Sequence, residues 1–71
     1  MYPNASIIGK HVKEIRESLE MTGLELAFRS KINRTYIHDI EKGNSNITVH
    51  KLIQICKAFE IPLSAFFKDI E

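Results

Sequence analysis

Apolar residues recur at helical spacing in short runs along this chain, and residues that begin or end helices bound each run. The first run has the spacing i, i+4, i+7 and i+11, which predicts a helix over about residues 6–20. It consists of Ile8, Val12, Ile15 and Leu19. No segment of strand length shows period-two alternation. The pattern therefore predicts an all-α fold.

Capping signals place the next two helices close together. Thr22 followed by Glu25 has the form of a capping box, which predicts the start of a short second helix. Asn33 is an N-cap candidate for a third helix over 34–41, and Lys42-Gly43 is typical of its end. Only a few residues separate the two helices.

Two more helices complete the prediction of five. Thr48 is expected to cap a fourth helix, and Pro62 suits the first turn of a short fifth helix. Apolar residues at helical spacing are usually core residues. Those assigned to the core are Leu26, Ala27, Ile37, Ile40, Leu52 and Phe59; the fourth helix also carries Val49, Ile53 and Cys56.

Length and composition indicate one small domain. The chain has 71 residues, 44% apolar and 27% charged, which suits a folded protein rather than a disordered one. No run approaches the ~18 apolar residues of a membrane span, and the N-terminus does not resemble a signal peptide. The single cysteine, Cys56, cannot form an internal disulfide, which fits a reducing compartment. We expect a cytoplasmic protein.

Charge is unevenly distributed although the net charge is only +1. Residues 29–57 contain six basic and two acidic side chains, a local balance of +4, whereas residues 60–71 have a balance of −2. A basic face is compatible with binding a polyanion and is also common on small domains.

The chain lacks the patterns of an enzyme. The sequence contains no glycine-rich phosphate loop, nucleophile elbow or carboxylate metal motif. The histidines and the cysteine are expected on different helices without ligand-pair spacing, which argues against a zinc site. We predict no catalytic residue, no metal and no cofactor.

The paired second and third helices resemble a known family. A separation of about three residues is the arrangement of a helix-turn-helix. Leu26-Ala27, the turn at 30–32 and the stretch Asn33-Arg34-Thr35-Tyr36-Ile37 through Ile40-Glu41-Lys42-Gly43 resemble the Cro, C1 and XRE-type repressor family. The resemblance covers about residues 8–67, and within the family the chain is most similar to the small controller proteins of restriction-modification systems.

This resemblance implies a compact five-helix, lambda-repressor-like domain over residues 1–71, with the helix-turn-helix at about 22–41.

Three positions depart from the family pattern. Gly23 stands where a glutamine commonly contacts a phosphate or a base. Lys31 replaces a glycine that is often left-handed, which implies modest strain or a different turn. Glu20 replaces the glycine that often ends the first helix.

The third helix is expected to lie in the major groove with its N-terminal residues toward the bases. Arg34 suits either a guanine edge or a phosphate. Thr35 offers a methyl and a hydroxyl, Tyr36 either reaches DNA or packs on the fold, and His38 either contacts the groove or is an inert surface residue. These four residues are the predicted base-reading set.

A second set is predicted to bind phosphates. The polar stretch 44–46 follows the recognition helix and carries donors without charge, although an ordinary turn would look the same. Lysines nearby add electrostatic attraction. The predicted phosphate-binding residues are Thr22, Asn33, Lys42, Asn44, Ser45, Asn46 and Lys51.

The C-terminal segment, about 59–71, is more apolar than one short helix can bury against a small domain. We expect part of it to form a two-fold homodimer interface, with recognition helices about 34–36 Å apart. In the alternative, Phe66 and Phe67 fold back onto the first helix and leave a monomer. The predicted interface residues are Phe59, Leu63, Phe66, Phe67 and Ile70, of which Phe59 is also assigned to the core.

Two functions are compatible with these expectations. The first is a sequence-specific transcriptional regulator that binds a pseudo-palindromic operator in double-stranded DNA, as the autoregulatory controller of a restriction-modification operon. RNA polymerase would be a further partner if the protein activates transcription. The alternative is an antitoxin or other protein-interaction module that binds DNA secondarily, although the chain lacks the long flexible tail of many antitoxins.

Overall fold

The computed structural model describes residues 4–70 and contains five helices in that range. No strand is present within residues 4–70, which confirms the predicted all-α class. The helices are α1 (Ala5–Ser18), α2 (Gly23–Ser30), α3 (Arg34–Glu41), α4 (Val49–Phe59) and α5 (Leu63–Lys68).

Local capping explains where the middle helices begin. In each case a side-chain oxygen accepts a hydrogen bond from a backbone N–H two or three residues later, at 2.7–3.1 Å. These bonds satisfy donors that would otherwise have no intrahelical partner. The three predicted caps are confirmed: Thr22, Asn33 and Thr48.

The end of α1 lies earlier than predicted. The helix stops at Ser18 rather than Glu20, because Glu20 adopts the left-handed conformation with φ of 55°. The N–H of Met21 then donates to the carbonyl of Arg16 at 3.0 Å, which closes the helix. Glu20 thus has the conformation for which the family commonly uses glycine.

The capping box at the start of α2 is only half formed. Thr22 caps the helix, but the carboxylate of Glu25 accepts from Arg29 at 2.8 Å instead of reaching back to the cap. At the other end of α2, Lys31 is left-handed with φ of 60°. Of the two predicted alternatives for Lys31, the strained turn is therefore correct, at a cost of about 1–2 kcal/mol.

The fifth helix also begins one residue later than predicted. Pro62 is the N-cap of α5 rather than a residue of its first turn, and it makes no side-chain capping bond. Ile70 lies beyond the helix, in the turn that follows Lys68.

One hydrophobic core joins the helices. All six residues that the sequence assigned to the core are buried, which confirms that assignment. Not every residue of the predicted stripes is buried: Leu19 is 48% exposed, Val49 67% and Ile53 37%. The core consists of Val12, Met21, Leu26, Ala27, Ile32, Ile37, Ile40, Leu52, Ile55, Cys56, Ala58, Phe59 and Phe66.

Two residues of the predicted dimer interface belong to this core. Phe66 is fully buried and packs edge-on against His11 of α1, with ring centroids 4.7 Å apart. Phe59 is 4% exposed. Neither ring can touch a second subunit without leaving the core, which corrects the prediction for both. The fold-back alternative is right for Phe66, whereas Leu63, Phe67 and Ile70 are half-buried.

Glycine allows α1 to approach α3 closely. A Cβ added at Gly9, which is buried, would overlap the carbonyl oxygen of Ile40. Gly43, just after α3, has φ of 76°, and a Cβ there would lie 2.9 Å from the Cα of Ser6. The backbone of α1 therefore rests directly on the C-terminal end of α3.

Cys56 lies in the core at 2% exposure, and burial raises the pKa of its thiol. Because the thiolate is the reactive form, we expect labelling by a thiol reagent at neutral pH to be about a hundredfold or more slower in the folded protein than in urea. Because the folded-state pKa is raised, the buried neutral thiol makes its full contribution to stability below the pKa of an ordinary cysteine, and this contribution is lost as the pH rises through the raised folded-state pKa. Equal labelling rates with and without urea would contradict this burial.

Candidate nucleic-acid interface

Three of the four predicted base-reading residues share one exposed surface of α3. Arg34, Thr35 and His38 are all exposed and border the same shallow depression. Arg34 and His38 lie one turn apart, so their side chains are neighbours. The guanidinium, hydroxyl and imidazole groups can thus act on one ligand surface.

The start of α2 borders this surface. A depression of about 270 Å³ lies between Arg34 and His38 of α3 and Thr22, Gly23 and Leu24 of α2. Nothing lies within 4 Å of a Cβ placed on Gly23, so the site is open where the family commonly has glutamine. Sequence reasoning missed Leu24, which is 61% exposed here.

A part-buried ion pair holds the opposite end of α3 against α1. The guanidinium of Arg16 donates to both carboxylate oxygens of Glu41, at 2.8 and 3.1 Å, and also to the carbonyl of Met21 at 2.8 Å. The two side chains are only 14% and 9% exposed. This bidentate arrangement fixes both distance and orientation between α1 and α3.

The pair also sets the charge beside the candidate interface. The hydrogen bond from Arg16 to Glu41 raises the pKa of Arg16 above its usual range, so the guanidinium stays charged. Its charge neutralises a carboxylate on the recognition helix that would otherwise repel a polyanion. Sequence reasoning missed this pair because its members are 25 positions apart and no local pattern links them.

Tyr36 differs from the other predicted base readers. Its ring is half-buried and packs against the core. Its hydroxyl donates to the backbone carbonyl of Asn46 at 3.1 Å, and the ammonium of Lys51 lies 5.2 Å from the ring centroid. Both alternatives considered for Tyr36 therefore remain compatible with its position, at the edge between the core and the candidate interface.

The predicted phosphate-binding residues fall into two groups. Thr22 and Asn33 already use a side-chain oxygen to cap helices, although the Asn33 amide N–H groups remain available as donors. The others follow α3 or begin α4. Lys42, Asn44 and Asn46 are exposed, whereas Ser45 and Lys51 are half-buried.

Residues 4–70 contain neither a candidate metal cluster nor a helix that could cross a membrane. No cluster of three or more His, Cys, Asp or Glu side chains that could hold a metal ion occurs within residues 4–70. In the same range, no helix has the length and apolar character needed to cross a membrane.

Comparison with known proteins agrees with this geometry. The Helix-turn-helix family HTH_3 matches residues 12–66. Control protein C.BamHI of Bacillus amyloliquefaciens is 38% identical over 56 residues, which cover 78% of this chain and 69% of that protein. Control protein C.MunI of Mycoplasma sp is 33% identical over 64 residues, covering 89% and 86%. These relatives are named as control proteins rather than enzymes.

A solved structure extends the similarity to the fold. It is the restriction-modification controller protein C.Esp1396I as a tetramer with its natural 35 base-pair operator, with a TM-score of 0.88 and 35% identity over 93% of this chain and 87% of that chain. The resemblance inferred from the sequence is thereby confirmed. The chain belongs to the Cro/C1-type helix-turn-helix family, and its relatives include restriction-modification controller proteins.

Proposed function

We propose that this protein is a sequence-specific DNA-binding transcriptional regulator that acts as a homodimer on a pseudo-palindromic operator, as the controller of a restriction-modification operon. The observation that carries the proposal is the shared surface of Arg34, Thr35 and His38 on an exposed α3 within a helix-turn-helix. In such a unit the N-terminal part of the second helix meets base edges in the major groove.

The residue types of the recognition helix support the controller assignment. Solved variants of C.Esp1396I carry single substitutions at three consecutive residues, an arginine, a threonine and a tyrosine. This chain has the same three residue types in the same order at Arg34, Thr35 and Tyr36. The operator complex of that protein supports DNA as the ligand of the corresponding surface here.

Arg34 is the proposed main base reader. Its guanidinium can donate two parallel hydrogen bonds to the O6 and N7 of guanine, which discriminates against other bases by about 1–3 kcal/mol. Thr35 and His38 lie beside it and would read neighbouring positions. The phosphate contacts of 42–46 and of the helix starts set the register without reading sequence.

Selection of bound sites from a random duplex pool tests the proposal. We expect the wild-type protein to enrich an inverted repeat with half-sites about one helical turn apart. Arg34→Ala and Thr35→Ala should keep their helical circular dichroism but lose preference at one position of each half-site, roughly fivefold to a hundredfold for Arg34. Sequencing of the selected pools measures this preference.

A matched variant separates base reading from phosphate binding by Arg34. Arg34→Lys keeps the charge and removes the planar fork, so it should lose preference while retaining most non-specific affinity. Arg29→Ala removes another exposed arginine, on α2, and should leave the preference unchanged. Site preferences that stay the same in both Arg34 variants and in Thr35→Ala would show that other residues read the operator.

The homodimer is proposed to use the outer surface of α4 and α5. Leu63, Phe67 and Ile70 remain from the predicted interface after Phe59 and Phe66 are assigned to the core. Exposed Val49 and Ile53 extend an apolar surface along α4, one turn apart, and α4 packs against α5. The proposed division remains a helix-turn-helix at about 22–41 and a C-terminal dimerisation segment at about 59–71, to which the exposed face of α4 adds Val49 and Ile53.

A charge placed on this surface should weaken dimerisation. We expect Phe67→Glu and Ile53→Glu each to raise the dimer dissociation constant by about thirtyfold or more, because a buried charge costs about 2 kcal/mol at an interface centre. Sedimentation velocity measures the change, and affinity for the full operator should fall with it.

Phe28→Glu is the matched control for the dimer surface. Phe28 is 84% exposed on α2, outside the proposed interface, so this variant should dimerise like the wild type. If Ile53→Glu and Phe67→Glu fold and remain fully dimeric, the interface lies elsewhere.

The regulator would act in the cytoplasm at its own promoter, with RNA polymerase as a partner when it activates.

A further inference from the structure

Tyr36 joins the recognition helix to the loop that follows it. The loop leaves α3 through a hydrogen bond from the N–H of Asn44 to the carbonyl of Asp39, at 3.0 Å, and reaches the cap of α4 at Thr48. Between these two points, the Tyr36 hydroxyl donates to the carbonyl of Asn46 at 3.1 Å. One side chain of α3 therefore holds the middle of the loop.

The same ring also positions a cation. The Lys51 ammonium lies 5.2 Å from the Tyr36 ring centroid, within the range of a cation–π interaction. Lys51 is in the first turn of α4, where its backbone N–H donates to the cap at 3.1 Å. Tyr36 thus contacts the backbone of Asn46 and the charge of Lys51, two residues assigned to phosphate binding.

These contacts leave Tyr36 poorly suited to reading a base. Its ring packs against the core on one side, and Lys51 lies over the ring. Its only hydroxyl proton is donated to the Asn46 carbonyl, so the hydroxyl cannot donate to a base edge or a phosphate without breaking this bond. A group that is already bonded within the protein offers DNA little net gain.

We propose that Tyr36 is a positioning residue that holds Asn46 and Lys51 in the geometry for phosphate contact, rather than a residue that reads sequence. The proposal rests on the DNA-binding function proposed above and divides the recognition helix into two roles. Arg34, Thr35 and His38 read bases, and Tyr36 sets the register of the backbone contacts. Its loss should weaken binding to every duplex alike.

Tyr36→Phe is the direct test, because it removes the hydroxyl and keeps the ring beneath Lys51. We expect the dissociation constants for the operator and for an unrelated duplex both to rise by about threefold to tenfold, with their ratio unchanged. Sites selected from a random pool should keep the wild-type preference. Arg34→Lys, measured in parallel, is the positive control for a change in base preference.

A coupling measurement distinguishes positioning from a general effect on stability. Asn46→Ala removes the side chain but keeps the backbone carbonyl that Tyr36 bonds. If Tyr36 acts through Asn46, the double variant should bind about as weakly as the weaker single variant rather than show the product of both losses. All three variants should keep the wild-type helical circular dichroism, and Tyr36→Phe should lower the Tm by no more than the loss of one hydrogen bond explains, about 4–8 °C.

Hydrogen exchange of the free protein provides a readout that needs no DNA. In Tyr36→Phe we expect faster exchange of the hydrogen-bonded amides at the two ends of the loop, those of Asn44 and Lys51, with the amides in the middle of α2 and α3 unchanged. A changed base preference, or wild-type exchange at both of these amides, overturns the positioning role. If the wild-type protein enriches no site at all, the proposed function fails, whereas the exchange result still decides whether Tyr36 orders the loop.

Discussion

Replacing Gly9 with alanine is expected to destabilise the protein, although alanine is the better helix former. In an open helix the exchange would stabilise by roughly 1 kcal/mol. Here the new methyl group would overlap the carbonyl oxygen of Ile40, which is backbone and cannot rotate away. Either α1 and α3 separate or the end of α3 distorts, and overpacking of this kind costs about 1–3 kcal/mol or more.

Thermal unfolding followed by circular dichroism measures this effect. We expect a net loss of about 2 kcal/mol, or roughly 10 °C in Tm for a domain of this size. Operator affinity should fall as well, because α1 supports the recognition helix. Only a close approach of the two helix backbones explains a loss of stability from this particular exchange.

Gly23→Ala is the matched control, since it makes the same change at the start of α2. No atom lies within 4 Å of the added Cβ, so this variant should be as stable as the wild type or slightly more stable. If Gly9→Ala is also as stable as the wild type, α1 does not rest on α3 as described.

Breaking the ion pair between Arg16 and Glu41 should have the largest effect on stability. Arg16→Met leaves the Glu41 carboxylate without its cationic partner. Glu41→Gln leaves the Arg16 guanidinium without its anionic partner. Removal of one member of a fully buried pair costs about 3–5 kcal/mol, and this part-buried pair should cost roughly 2–3 kcal/mol because a charged group is left without its partner. That is a large share of the total stability of a small domain. Urea unfolding at neutral pH measures each loss.

The pair formed by Glu25 and Arg29 is the control, because it has the same 2.8 Å separation but side chains 41% and 48% exposed. Arg29→Met should cost less than about 1 kcal/mol. The double variant Arg16→Met with Glu41→Leu should recover part of the loss, since it leaves no unpaired charge. Equal small losses in Arg16→Met and Arg29→Met would mean that the first pair is not buried.

Local signals in the sequence predicted the helices well because they act over one turn. Thr22, Asn33 and Thr48 cap the helices at the predicted positions, since a cap needs only a side-chain oxygen and an N–H two or three residues later. The errors lie at ends where several conformations compete. Glu20 ends α1 early because it adopts the left-handed conformation. A glutamate in the sequence does not predict that conformation, whereas a glycine would.

The candidate site was predicted in part. The exposed surface of Arg34, Thr35 and His38 follows from helical spacing once the neighbouring Ile37 is placed in the core. The hydrogen bond from Tyr36 to Asn46 does not follow from helical spacing, because it depends on the path of the loop. An interior glycine at position 9 was a signal for close packing that the sequence reading did not use.

The all-α class, the starts of the three middle helices, most of the buried apolar positions and the helix-turn-helix follow from the amino-acid sequence, because each depends on periodicity or on contacts within a turn. The burial of Phe66 beneath α1 and the contact of Gly9 with Ile40 emerge only when the helices pack together. The same is true of the part-buried pair of Arg16 and Glu41. These features depend on how helices distant in sequence cross, and neither the spacing nor the propensity of residues specifies that crossing.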